Sequence, residues 1–242
     1  MNMKMKMSFR SSPFTFSSRV AALALALSPI ACGGEDPKPQ DPPGEDAKPL
    51  LPFAAGNHWK YRVTEESEVE VKENIVGPEE VVGGTGVLKD QLAFKVTTLK
   101  EDGEDQTFSW QHNDGDRVVR YREQSFHAGS GALELEESWS PAKLHIDGSP
   151  EHTVAGAIWY EDYEETKTPS DDTPSVSVKR DRWTVKAVGQ TLTVPAGTFE
   201  NVIVIEKVGV DSLKTYYYAR GVGKLKETGG QTEELMSYTL VE

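Results

Sequence analysis

Chemistry requires titratable and nucleophilic side chains close together, and the densest such cluster is "LHIDGSPEH". It places His145, Asp147, Glu151 and His152 within eight residues. Imidazoles and carboxylates are ligand types for zinc, so this loop could support a metal site. A solvated polar loop accounts for the same residues. The other histidines, His58, His112 and His127, are scattered, and no H-E-x-x-H or H-x-H pattern occurs. The stretches "NDGD" (113–116) and "EDGED" (101–105) carry calcium-type acids but lack the longer ligand series and its closing glutamate. "YEDYEETKTPSDDTPS" (160–175) reads as an acidic loop between strands. A G-x-S-x-G nucleophile motif is absent, and carboxylates are too numerous for one pair to stand out as a glycosidase couple. No catalytic residue is assigned, and no motif requires a cofactor.

The one cysteine, Cys32, sits where an apolar run ends and a proline-rich acidic tract begins. Residues 1–31 hold Lys4, Lys6, Arg10 and Arg19 and no acid. They end in an apolar run over 20–31, too short for the ~18–20 residues that span a bilayer. This is the pattern of a removable export signal. Its junction, "SPIAC", resembles the lipobox of bacterial lipoproteins, although Pro29 stands where leucine is usual. The resemblance implies cleavage between Ala31 and Cys32 and lipidation of the Cys32 sulfur, which would fix the protein to a membrane. An ordinary cleavage behind Ser28 would leave an unpaired thiol in an oxidising compartment, an awkward group to keep. Gly33, where aspartate resembles an inner-membrane retention signal, implies the outer membrane. Residues 32–50 then read as the lipidated cysteine and a disordered tether of prolines and acids, able to reach about 50 Å if extended.

Residues 51–242 suffice for one well-buried domain. The chain carries 26 basic against 39 acidic residues, net −13. That balance argues against nucleic acid and against electrostatic adhesion to anionic lipid. With no disulfide available, this domain depends on its core.

Period-two alternation runs through nearly all of it. In "HWKYRV", Trp59, Tyr61 and Val63 share one face and Lys60 and Arg62 the other. In "TFSWQHNDGDRVVRY", a turn at Asp114-Gly115 pairs Phe108 with Tyr121 and Trp110 with Val119, and places Ser109 and Arg120 together on the opposite face. In "RWTVKAVGQTLTVP", a turn at Gly189-Gln190 pairs Val185 with Val194 and Ala187 with Leu192. Upstream, Val176 and Val178 fall out of phase with Trp183 and Val185, so a bulge is expected near residues 179–182. "NVIVIEKV", apolar on both faces, reads as a central covered strand. No helical periodicity appears. The expected fold is all-β: an antiparallel meander of roughly ten strands, forming a sandwich or an open or half-closed β-barrel.

"VPAGTFENVIVIEK" followed by "YYYARGVGKLKE" resembles a recurring signature of poorly characterised bacterial envelope lipoproteins, and "FAAGNHWKYRV" resembles the opening strand of the same group. The matching positions are Gly56, Asn57, Trp59 and Tyr61, then residues 195–199, Tyr217, Tyr218, Ala219 and residues 221–223. Arg220 stands where relatives often have proline. The resemblance implies an exported β-rich lipoprotein and supplies no activity. From the residues themselves, Gly197 suits a tight turn, Pro195 ends the strand before it, and Gly221 and Gly223 permit close backbone approach. A lone G-x-G without a following helix is a weak phosphate signal.

In "KTYYYARGVG", alternation sets Tyr216 and Tyr218 on one side and Tyr217 on the other. Three adjacent phenols cannot share one core face, so at least one lines a surface or cavity. Trp59, Tyr217 and Tyr218 are therefore the candidate ligand-binding residues, against the simpler reading that Tyr217 only covers a neighbouring strand. The sequence supports a non-catalytic, lipid-anchored binding or structural module of the envelope, with an unknown protein or small-molecule ligand. The alternative is a metal-dependent or hydrolytic envelope enzyme using the His145–His152 loop.

Overall fold

The computed structural model describes residues 48–241 except 101–105, 128 and 211. The expected signal segment, Ala31, Cys32 and the expected tether up to residue 47 lie outside the described residues, as does "EDGED". Twelve antiparallel strands close into a single barrel. In order they are β1 (His58–Glu65), β2 (Glu68–Val81), β3 (Leu92–Lys100), β4 (Gln106–Asp114), β5 (Arg117–Phe126) and β6 (Leu133–Asp147). After a short 3-10 turn at Pro150–His152 come β7 (Ile158–Pro169), β8 (Ser175–Val194), β9 (Gly197–Val208), β10 (Leu213–Ala219), β11 (Gly223–Gly229) and β12 (Gln231–Thr239). Each strand pairs with its neighbour in sequence, and β1 closes the ring against β12, His58 opposite Thr239. The meander is thus a barrel rather than a sandwich, fully closed, with more strands than the turn spacing suggests.

Width follows from strand number. About eight strands leave an interior that side chains just fill, and larger barrels must be filled by other means or enclose space. Here the two ends solve the problem differently. At the end where β1 begins, Trp59, Ile146, Trp183, Val185, Ile205, Leu225 and Leu235 form an apolar core. The segment preceding β1 plugs that end: Leu50, Leu51 and Phe53 are buried within the core. Gly221 N donates to Pro49 O at 2.9 Å and Arg220 Nη1 to Lys48 O at 3.1 Å, which fixes the plug to the β10–β11 turn. The domain therefore starts by Lys48, ahead of the expected boundary at residue 51. A leucine that looks isolated in a polar tract fills a hole made by distant strands.

Several local expectations hold. Trp59, Tyr61 and Val63 are buried together. Val202, Ile203 and Ile205 of β9 are buried, as a covered strand requires. Pro195-Ala196 form the β8–β9 turn, with Val194 opposite Gly197. Gly223 allows close approach: a Cβ there would lie 2.9 Å from Leu51 Cδ1 and 3.2 Å from Trp59 Nε1.

Others are corrected. The β4–β5 turn is Gly115-Asp116, with Asp114 opposite Arg117. Gly115 takes a φ of 67° at the first turn position, the arrangement of a type II′ hairpin. A bulge between Trp110 and Gln111 then sets Trp110 opposite Arg122 and Phe108 opposite Gln124. Gly189-Gln190 are no turn: β8 runs on through them with a series of register shifts against β9. No shift interrupts the β7–β8 register at residues 179–182. Val176 and Val178 are out of phase because they face outward, 60% and 79% exposed. Finally, residues 160–169 of the supposed acidic loop belong to β7. Glu165 and Tyr163 are buried, because this barrel accepts charged groups inside.

A polar lumen as the candidate functional site

The other half of the barrel interior is lined by polar chains around a cavity of about 370 Å³. Alternation carries them there. On β4 the inward positions are Thr107, Ser109 and Gln111. Phe108 and Trp110 face outward, where Val82 and Ala93 pack against Trp110. Arg122 covers that outer cluster, its guanidinium 4.4 Å from the Trp110 ring and donating to Val82 O at 2.7 Å. Ser109 and Arg120 do share a face, as the sequence indicates, and that face is the lumen.

Lys72, Arg120, Lys143, Lys207, Lys214 and Lys224 line the cavity, against three carboxylates, Glu123, Glu227 and Glu233. Glu227 accepts from Lys214 at 2.6 Å and Lys224 at 2.5 Å. Glu233 accepts from Lys224 and Gln231 Nε2, each at 2.8 Å, and from Lys72. Burial alone would raise both carboxyls. Lys224 and Lys72 outweigh it for Glu233, which falls to about 2, and Lys224 and Lys214 outweigh it for Glu227, which is likewise held well below the usual range. Burial also opposes the charge on Lys224, but Glu233 and Glu227 hold its pKa well above normal. Lys72 is pushed down to about 8, first by burial and then by the like charge of Lys224. The network is charged and internally paired.

Beside it, Arg120 donates from Nη1 to Glu123 at 2.8 Å. Its Nη2 lies 3.4 Å from His145 Nδ1. An arginine can only donate, so Nδ1 is the acceptor and the imidazole proton sits on Nε2. Burial, then Arg120, lowers the His145 pKa well below its ordinary value, so the ring is neutral. Gln111 Nε2 donates to Ser109 Oγ at 2.7 Å. Gln111 Oε1 and Arg120 Nε are buried with no hydrogen-bond partner among the described residues.

Aromatic rings form the floor between the polar and apolar halves. Trp159 and Trp183 stack with centroids 6.0 Å apart, Trp183 and Tyr216 at 6.0 Å, and Tyr216 and Tyr218 at 6.2 Å. Lys207 Nζ lies 4.6 Å from the Trp183 ring centre and Lys143 Nζ 4.9 Å from that of Trp139. These are cation–π distances.

Of the candidate ligand residues, Tyr218 lines the lumen. Tyr217 lies on the opposite face, half-buried against the core. Trp59 is part of the closed end, its Nε1 donating to Val222 O at 2.7 Å. Tyr61 OH similarly donates to Lys224 O at 3.1 Å. The two segments that carry the lipoprotein resemblance thus meet each other and build the closed end. The histidine cluster separates: His145 lines the lumen, whereas His152 hydrogen-bonds Asp147 at 2.8 Å and stacks on Trp159 at 4.2 Å. Among the described residues no group of three or more His, Cys, Asp or Glu side chains is placed to hold a metal ion. His145, Asp147, Glu151 and His152 are therefore not one ligand set.

The lumen cations escape a sequence reading that equates inside with apolar. A usable signal exists in titratable residues alternating within a strand, as in Lys143 with His145.

No protein-family description matches this chain, and no curated protein matches it. Among solved structures, a Bacteroides fragilis NCTC 9343 protein assigned as exported, with a YmcC-like fold, is similar at a TM-score of 0.46. The match is 10% identical and covers 80% of this chain and 100% of that one. At that distance it bears on neither site nor ligand.

Proposed function

We propose that this protein is a lipid-anchored, non-catalytic binding module of the bacterial cell envelope, with its ligand seated in the polar half of the barrel. The export signal and the "SPIAC" junction support the anchor. Gly33 supports the outer membrane over the inner. The observation that carries the binding role is the lumen itself. Replacing buried ion pairs by well-packed apolar groups is often neutral or stabilising, so stability alone does not call for Lys72, Lys224, Glu227 and Glu233 inside a barrel. A cavity of about 370 Å³ is within the usual range for small-molecule sites.

Two measurements test the reading. Native mass spectrometry of the full-length protein purified from membranes should show a bound small molecule that denaturation releases. An empty barrel that binds nothing from an envelope extract refutes the binding role. Separately, Cys32→Ala should accumulate as unprocessed precursor. If it is still processed and remains in the membrane fraction after alkaline washing, the lipid anchor is wrong.

A further inference from the structure

We infer that the lumen selects a small organic anion, its carboxylate or phosphate held among Arg120, Lys143 and Lys207 and its uncharged body against Trp183 and Tyr216. This rests on the binding role proposed above and names the ligand class.

The charge distribution is the first argument. In a chain of net −13, the cavity wall carries twice as many cations as carboxylates. The carboxylates are also occupied: Glu227 and Glu233 by three lysines, and Glu123 by Arg120. None remains free to recognise a ligand cation.

Of the remaining lumen cations, Lys143 is the least completely satisfied. Lys143 approaches Glu165 only to 3.8 Å, beyond hydrogen-bond distance. Lys207 is paired with Asp181 at 2.6 Å. Glu165 and Asp181 belong to an adjoining recess of about 220 Å³, while Lys143 and Lys207 line both spaces. Burial lowers the Lys143 pKa, and the charges of Arg120 and Lys207 lower it further. Arg120, Lys143 and Lys207 line the same cavity, and an anion placed there gives Lys143 the hydrogen-bonded partner that Glu165 at 3.8 Å does not.

Hydrogen-bonding capacity points the same way. Arg120 Nε has a proton and no partner among the described residues, and His145 presents Nε2–H. Both donate, as an oxyanion requires. Gln111 Oε1, buried and unpartnered, adds one acceptor that suits a ligand hydroxyl or a protonated acid. Trp183 and Tyr216 line the same cavity and offer aromatic surface to the remainder of the molecule.

Calorimetric titration of the full-length protein in detergent decides the matter, with phenyl phosphate and benzoate as anionic probes, phenol as neutral control and benzylamine as cationic control. The anions should bind, quench tryptophan fluorescence and raise Tm, with phenol about tenfold weaker or worse. Lys143→Gln should weaken the anions by about tenfold while leaving phenol unchanged. If Lys143→Gln does not fold, Lys207→Gln serves in its place. Phenol or benzylamine binding as tightly as the anions overturns the proposal, as does no anion binding up to about 10 mM. A neutral molecule recovered from membrane-purified protein overturns the anion class and leaves the binding role standing. An empty protein that also ignores every probe removes both.

Discussion

The apolar and polar halves of the barrel share the same strands but are built from opposite materials. In the apolar half, Leu225, Leu235 and Ile205 have almost no exposure and pack against the leucines of the preceding segment. In the polar half, the same inward alternation delivers Glu227, Glu233 and Lys207. On β12 the change happens within one step, from Leu235 to Glu233. The apolar half contributes the stabilising burial, roughly 25 cal/mol per Å². The polar half spends part of it on desolvated charge that is tolerable only while paired. Foldedness and selectivity are thereby assigned to different ends of one cylinder.

The largest effect is expected where pairing is broken. Glu233→Ala strands Lys72 and leaves Lys224 with Glu227 alone, and should cost about 3–5 kcal/mol in urea unfolding. A smaller loss than that of an ordinary surface variant would mean the network is solvated, and the two halves would not differ as described. Next comes the plug. Leu50→Ala removes a side chain with 1% exposure and should cost about 3 kcal/mol. Unchanged stability would return residues 48–50 to the tether. The smallest effect tests facing. Val178→Lys on the exposed side of β8 should change stability by no more than about 0.5 kcal/mol, whereas an inward Val178 would make it severely destabilising.

The sequence made the fold class readable because alternation and turn chemistry are local. It showed which residues share a face: Trp59 with Tyr61, Tyr216 with Tyr218, Ser109 with Arg120. Which face is the inside was harder to read. Phe108 and Trp110 look like core, yet they face outward under the 82–91 segment. Glu161 and Glu165 look like loop, yet they face inward. Register failed for a related reason. One residue separates a turn at Asp114-Gly115 from one at Gly115-Asp116, and a bulge such as that at Trp110 has no local marker in this chain. Apart from Tyr218 and His145, the site went unseen because its members, from Arg120 on β5 to Lys207 on β9, are assembled only by closure of the ring.

Closure also has a mechanical side. His58 and Thr239 face each other at the plugged end, and Val241 N is fastened to Asn57 Oδ1 at 2.7 Å. A pull applied between the two ends of the described chain first loads the plug's bonds to Gly221 and Arg220, and once these yield it loads the β1–β12 seam from one extremity. It opens bond by bond, like a zipper, instead of shearing all its bonds together. Trp59, bonded across to Val222, lies just inside the point where that tearing would start, and ties the seam to the β10–β11 turn.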